Sequence, residues 1–199
     1  MSKIFQNLEL QAFRAGITPR TKESRRWFQN KIKNMRSIKR EALMDEDPIK
    51  KTGQEVVGNM YMFFYDPKNK NDRKKLPYYD AFPLVIVVGP AKDGFYGLNL
   101  HYLPPVLRAK MLDALMDITS NTKFDSSTRF KASYQLLTRT AKLKHFKPCF
   151  KHYLNKHVSG KFAMVPAPEW EIATFLPTAD FRYASNQKVY SDSKSMIGD

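Results

Sequence analysis

The segment from Gly53 to Leu103 constrains this chain most, because it alternates apolar runs with turn-forming stretches. Val56-Val57-Gly58-Asn59-Met60-Tyr61-Met62-Phe63-Phe64-Tyr65 is dense in β-branched and aromatic residues, which suit a pleated, half-buried surface better than a helix. It closes on Asp66-Pro67-Lys68-Asn69-Lys70-Asn71-Asp72, a solvated turn sequence. Leu84-Val85-Ile86-Val87-Val88 has no polar member and reads as a strand buried on both faces. Gly89-Pro90-Ala91-Lys92-Asp93-Gly94 then forms a hairpin connection, and Phe95 to Leu103 is the return strand. Several short strands in one window predict a small, strongly bent antiparallel sheet or an SH3-like barrel. Gly97, inside the return strand, is expected at a bulge or corner.

Helical patterns lie on both sides. Ile4 to Phe13 reads as a short helix stopped by Gly16. Thr18 to about Met44 reads as one long helix, with Thr18 as N-cap, Pro19 at the first position, and Phe28, Ile32 and Met35 on its apolar stripe. Pro104-Pro105 ends the sheet, and Val106 to Thr119 is helical. Ser126 or Ser127 caps a third helix carrying Phe130, Tyr134, Leu137 and Ala141, and Phe146 to Val158 is expected as a fourth. Lys161 to Val165 fits an edge strand, and Pro168 opens a short helix through Ala173. From Pro177 onward no period is sustained. The expected class is α+β: a small antiparallel sheet or SH3-like barrel flanked by an N-terminal basic helix and a C-terminal helical cluster. The expected organisation is a basic helical arm over residues 1–52, a core over 53–176 (sheet 53–103, helices 104–176), and a polar tail over 177–199.

Charge narrows the partners. With 34 Lys+Arg against 19 Asp+Glu in 199 residues, the formal net charge is +15. The excess sits in two blocks. From Arg20 to Arg40 the only acid is Glu23, and from Ser126 to Pro168 there is none. A solvated helix normally mixes signs, because opposite charges one turn apart help and like charges repel. Two such blocks point to phosphates or to an acidic protein surface. No apolar run is long enough for a membrane span, the start lacks a signal-peptide pattern, and the single cysteine fits a reducing compartment.

The catalytic constellations are thin. His145, Cys149 and His152 would share a helix face, but zinc needs a fourth ligand and Pro148 interrupts that helix. A Cys149/His152 nucleophile pair has no orienting third group. For a metal-dependent nuclease the candidates are Asp66-Pro67-Lys68, Asp192-Ser193-Lys194 and the Asp113/Asp117 pair. None forms the carboxylate cluster that Mg²⁺ needs, and there is no Gly-rich phosphate loop. Most of the aromatics Tyr61, Phe63, Phe64, Tyr65, Tyr78, Tyr79, Phe82, Phe95 and Tyr96 are expected to fill the core, with any left outside available to stack on bases. Leu76-Pro77-Tyr78-Tyr79-Asp80, next to Lys74 and Lys75, is the candidate partner-docking loop.

Two segments carry a resemblance. Gly58 to Lys68 with Leu76 to Val85, and Gly94 to Pro105, are joined by Trp170…Phe175-Leu176-Pro177 and Val189-Tyr190-Ser191-Asp192-Ser193. Together these resemble small proteins of T4-like tailed phages and cyanophages. That group has virion or DNA-end-associated roles: the DNA end protector class, and neck, head-completion or baseplate components. The similarity spans from about Gly58 to the C-terminus and leaves the basic N-terminal helix as a more variable arm. It carries no catalytic motif.

The leading expectation is a non-enzymatic phage protein that binds double-stranded DNA through phosphates, at genome ends, with no cofactor and no metal. Arg25, Arg26, Lys33, Arg36 and Arg40 would carry it on the first long helix, and Arg139, Lys142, Lys144, Lys147 and Lys151 on the later ones. The alternative is a structural virion subunit in the neck, head–tail connector or baseplate, docking on acidic neighbours. A nuclease ranks third. The expected partners are DNA or other virion proteins, with oligomerisation in the particle left open and no membrane. The expected location is the host cytoplasm during assembly and then the virion.

Overall fold

A computed structural model describes residues 3–19, 21–33, 35, 38–45, 51–67, 76–119, 135, 138–139 and 144–198. Its helices are α1 (Lys3–Arg14), α2 (Lys22–Lys33), α3 (Arg40–Asp45), α4 (Pro105–Thr119), α5 (Trp170–Phe175) and α6 (Asn186–Ile197). Its strands are β1 (Lys51–Thr52), β2 (Met60–Tyr65), β3 (Tyr79–Asp80), β4 (Leu84–Ala91), β5 (Gly94–Asn99), β6 (Phe150–Leu154), β7 (Val158–Val165) and β8 (Phe181–Arg182). The class is α+β. Six strands form one sheet in the order β1-β7-β2-β4-β5-β6, with every pairing antiparallel, and β3 pairs with β8 in a separate ribbon.

Successive side chains on a strand point to opposite faces, and here that alternation sorts them into two cores. Met60, Met62, Leu84, Ile86, Val88, Leu98, Ala163 and Val165 share a cluster with Phe5, Leu8 and Ala12 of α1, Phe28 and Ile32 of α2, Met111 and Leu112 of α4, Ile172 of α5 and Val189 of α6. The opposite face gathers Tyr61, Phe63, Tyr65, Val85, Val87, Phe95, Tyr153 and Phe162. Among the described residues no helix contributes to that second cluster, yet Phe63 and Phe95 are fully buried.

The sheet covers this aromatic core by curling around it. Phe63 on β2 and Tyr153 on β6 are three strand positions apart, about 14 Å in a flat sheet, where side chains stand parallel and stay that far apart. Their ring centroids are 5.3 Å apart. Phe95 on β5 and Phe162 on β7 have the same separation in the sheet and lie 5.8 Å apart. A single 3-10 turn, Asn155–His157, links β6 to β7 although four steps separate them in the sheet. Order β7-β2-β4-β5-β6 with that turn is the SH3-like arrangement. Register shifts between Met62 and Phe64 and between Val87 and Gly89 supply the bending. Gly97 sits opposite the second shift, where a Cβ would come within 2.2 Å of Val85 Cγ1.

Several elements differ from expectation. The long helix from Thr18 is two helices, α2 and α3, because Ile38 turns into the core and Arg40 Nε and Nη2 bond the carbonyls of Thr178 and Ala179. Its cap is Thr21, not Thr18. Thr21 Oγ1 accepts from Ser24 N while Ser24 Oγ accepts from Thr21 N, a reciprocal capping box. Phe146 to Val158 is no helix. Lys144–Cys149 is a 3-10 turn around Pro148, and β6 follows, because Tyr153 completes the aromatic core. The strand expected at the edge is β7, flanked by β1 and β2. The polar tail holds β8 and α6, with Val189, Ser193 and Ile197 buried and Ser185 capping Lys188 N. The helix expected after Ser126 lies outside the described residues except for Gln135, Thr138 and Arg139, which are helical.

Candidate nucleic-acid interface

Helix α2 is amphipathic: Phe28 and Ile32 point into the core, and Lys22, Arg26 and Lys33 are exposed on its outer side. Against it lies the start of α4. Lys22, Arg25, Arg26 and Gln29 of α2 line a shallow cleft with Val106, Ala109, Lys110 and Asp113 of α4. The charges in this cleft divide into two kinds.

Arg25 is buried, with its guanidinium between Asp113 and Glu171, whose Oε1 lies 3.2 Å from Nη1. Glu171 also accepts from Ser24 Oγ at 2.8 Å. One cation therefore faces two carboxylates, a locked group joining α2, α4 and α5. Arg25 departs from its expected role as a phosphate contact, since burying an arginine requires paired partners and these consume its charge. Lys22, Arg26 and Lys110 are exposed and make no ion pair among the described residues.

The remaining expected contacts scatter. Arg40 is partly buried and spent on two carbonyls, with Asp180 3.9 Å away, so it pins α3 to the Pro177–Asp180 segment. Arg139 and Lys147 are exposed. Lys151 lies over the Tyr102 ring, 4.0 Å from its centroid, and burial pulls its pKa down to about 8. Arg36, Lys74, Lys75 and Lys142 lie outside the described residues, as does the side chain of Lys144.

The docking loop is also reassigned. Tyr79 is buried in β3 and donates to Asp66 at 2.9 Å. Tyr78 stacks on Tyr102 and bonds Asp192, and its pKa rises to about 12, chiefly from burial and then from that carboxylate. Both tyrosines serve the fold, because the β3–β8 ribbon draws this loop inward.

Between barrel and helices lies a buried polar network that local sequence patterns did not disclose. Asp80 accepts from His101 Nδ1 (2.6 Å), Asn99 Nδ2 (3.0 Å), and the backbone N–H groups of Phe82 and Asp180 (3.1 Å each). Burial alone would raise its pKa, but the attraction of His101 and then these donors outweigh it and hold the Asp80 carboxyl below its ordinary value. His101 is fully buried, and its pKa is lowered by that burial. In the neutral ring that this favours, Nδ1–H donates to Asp80 and Nε2 accepts from Thr178 Oγ1 at 3.3 Å. Arg108 donates to the carbonyls of Leu103, Thr174 and His101 and to Tyr190 Oη. Asp80, His101 and Thr178 follow the acid–base–hydroxyl order of a hydrolase triad. Their exposures of 3%, 0% and 0% leave a substrate no access, so here the arrangement joins β3, the β5 end and the Pro177–Asp180 segment.

Cys149 and His152 do not face a common site, since Cys149 is buried and His152 is exposed on a strand, and the side chain of His145 lies outside the described residues. Among the described residues no group of three metal-ligating side chains occurs, and no helix is long and apolar enough to cross a membrane.

The family model for the phage T4 terminal DNA protecting protein matches residues 3–197. The chain belongs to this family. The match begins in α1, so the family pattern includes the N-terminal helices that the resemblance had set apart as a variable arm. The DNA end protector class is thereby selected from the phage group, and nothing supports a tail, baseplate or head–tail connector role. No curated protein and no solved structure matches the chain.

Proposed function

We propose that this protein binds the ends of double-stranded DNA through backbone phosphates and shields them, without catalysing a reaction. The α2/α4 cleft carries the reading. Among the described residues Lys22, Arg26 and Lys110 face solvent there with no carboxylate partner of their own, while the one acid in the lining, Asp113, is occupied by Arg25. Lys33, Arg139 and Lys147 are exposed as well, and Arg36, Lys142 and Lys144 belong to the same basic blocks in the sequence. Membership of a family described by terminal DNA protection favours DNA over an acidic protein as the partner. The sealed Asp80–His101–Thr178 chain supports a non-catalytic role. The setting is the infected host cell and the phage particle.

Phosphate contacts release counterions, so log K should fall linearly with log salt, with a slope of about −0.9 per phosphate neutralised. The test is a salt titration of binding to linear duplex. A slope of roughly −4.5 or steeper is expected for five or more contacts, and binding that is flat across salt overturns the reading. Incubation with plasmid and Mg²⁺ should leave the plasmid intact.

A further inference from the structure

The sheet buries nearly all its aromatics: Tyr61, Phe63, Tyr65, Phe95, Tyr153 and Phe162 are each at most 7% exposed. Phe64 is half-buried, and Tyr96 and Phe150 stand out, each 38% exposed on the convex side of adjacent strands. They are stacked on each other, with centroids 5.3 Å apart and planes within 17°. His152, directly across the ladder from Tyr96, lies 5.2 Å from it and is also exposed. Its Nε2–H donates to the Lys92 carbonyl in the β4–β5 turn, which fixes the imidazole. Leu98, the residue opposite Phe150, is fully buried and anchors the strand beneath the strip. The result is a short pre-positioned stack at the β5–β6 edge of the sheet, in which Tyr96 lies between Phe150 and a His152 ring inclined at 46°, so that its outer faces and ring edges are what it offers to solvent.

The surrounding charge is positive. Lys92 is exposed on one side of the strip and Lys147, just before β6, on the other. Chain residues from Ser126 to Pro168 contain no acid at all, and the only carboxylate in the β4–β5 turn is Asp93. An aromatic stack flanked by cations can be extended by another flat π surface flanked by phosphates. DNA offers that combination at an open end, where the terminal base pair exposes a face that internal pairs hide by stacking.

We propose that the Tyr96–Phe150–His152 strip stacks on the terminal base pair of a DNA end, and that this contact lets the protein distinguish an end from internal duplex. The proposal rests on the DNA-end reading above and adds what phosphate contacts cannot supply, because phosphates are alike along the whole duplex. Aromatic–base stacking tolerates any sequence, since every base has a π-face. The strip therefore recognises an end without reading its bases.

The experiment compares a short linear duplex with a dumbbell of the same sequence whose ends are closed by hairpin loops. It uses the full chain and a Tyr96→Leu/Phe150→Leu variant, which keeps apolar bulk and removes the rings. The wild type should prefer the open duplex. The variant should lose about tenfold or more on open ends and change less than twofold on the dumbbell. With 2-aminopurine in the terminal pair, wild-type binding should shift the emission, and the same probe at mid-duplex should stay unchanged. A variant that keeps the end preference, or a terminal probe silent on wild-type binding, overturns the strip while leaving phosphate binding standing. A wild type that binds neither DNA overturns the DNA reading itself. If the variant does not fold, the two probe positions with wild-type protein decide alone.

Discussion

Asp80→Asn tests whether the buried network holds the barrel to the helical layer. The carboxylate takes four donors: Asn99 Nδ2 and His101 Nδ1 on Oδ2, and the Phe82 and Asp180 N–H groups on Oδ1. An amide has one acceptor oxygen. Its best orientation keeps the two backbone bonds and turns its NH₂ toward the Nδ2 of Asn99, donor against donor. His101 can adapt by moving its proton to Nε2 and donating to Thr178 Oγ1, but Asn99 cannot, because its Oδ1 already accepts from His101 N. Removing the charge relieves a desolvation cost. The attraction of His101 and the four donors outweigh that cost and hold the Asp80 pKa below its ordinary value, so the net effect is destabilising. Losing a charge-assisted bond and stranding a buried donor together cost about 3 kcal/mol. For a chain of this size that lowers Tm by roughly 6–12 °C. Urea unfolding followed by circular dichroism at pH 7 measures it. Because the folded pKa lies below the unfolded value of about 3.9, the stabilisation is present above that pH and is lost as pH falls through the folded pKa. The deficit of the variant should therefore shrink in acid. A variant within about 0.5 kcal/mol of wild type at pH 7 would refute the network's role.

Arg25 and Arg26 are neighbours in sequence and should behave oppositely. Arg25→Ala leaves Asp113 and Glu171 facing each other and should destabilise by about 3–5 kcal/mol, whereas Arg26→Ala should leave urea stability unchanged and make the DNA salt slope shallower by about 1. For His101, the lowered folded pKa means the unfolded state takes up a proton first as pH drops below about 6.5, so its contribution to stability falls by up to about 1.4 kcal/mol per pH unit. His101→Gln should abolish this, seen as a wild-type-minus-variant difference that decreases from pH 7 to pH 5. Gly97→Ala should fail to fold or melt far lower, because its Cβ would overlap Val85 Cγ1 inside the curled sheet; a melting curve like wild type would contradict the curvature.

The strands β2, β4 and β5 were legible because their runs are rich in β-branched and aromatic residues and are bounded by turn residues. Gly97 pointed to the bend because a glycine inside such a run marks a bulge or corner. What misled at Phe150 to Val158 was spacing: Phe150, Tyr153 and Leu154 fit a helical face, but Tyr153 belongs to the barrel core, and partners more than fifty residues away decided the outcome. The break after Lys33 was hidden similarly, since Arg40 is held by carbonyls of the Pro177–Asp180 segment. The charge blocks were visible, but charge alone does not tell a paired arginine from a free one. Arg25 and Arg26 read alike, and burial against α4 and α5 separates them. Lys110 escaped because it joins the cleft from another helix. Lys22 had a usable signal, lying one turn before Arg26 on the same face.

The most direct test of the central claim is competition binding of the purified chain to a linear duplex and to a covalently closed circle of the same sequence, each across a salt series. The account predicts preference for the linear form and affinity that falls steeply with salt on both. Equal affinity for the two forms at every salt concentration would contradict end binding.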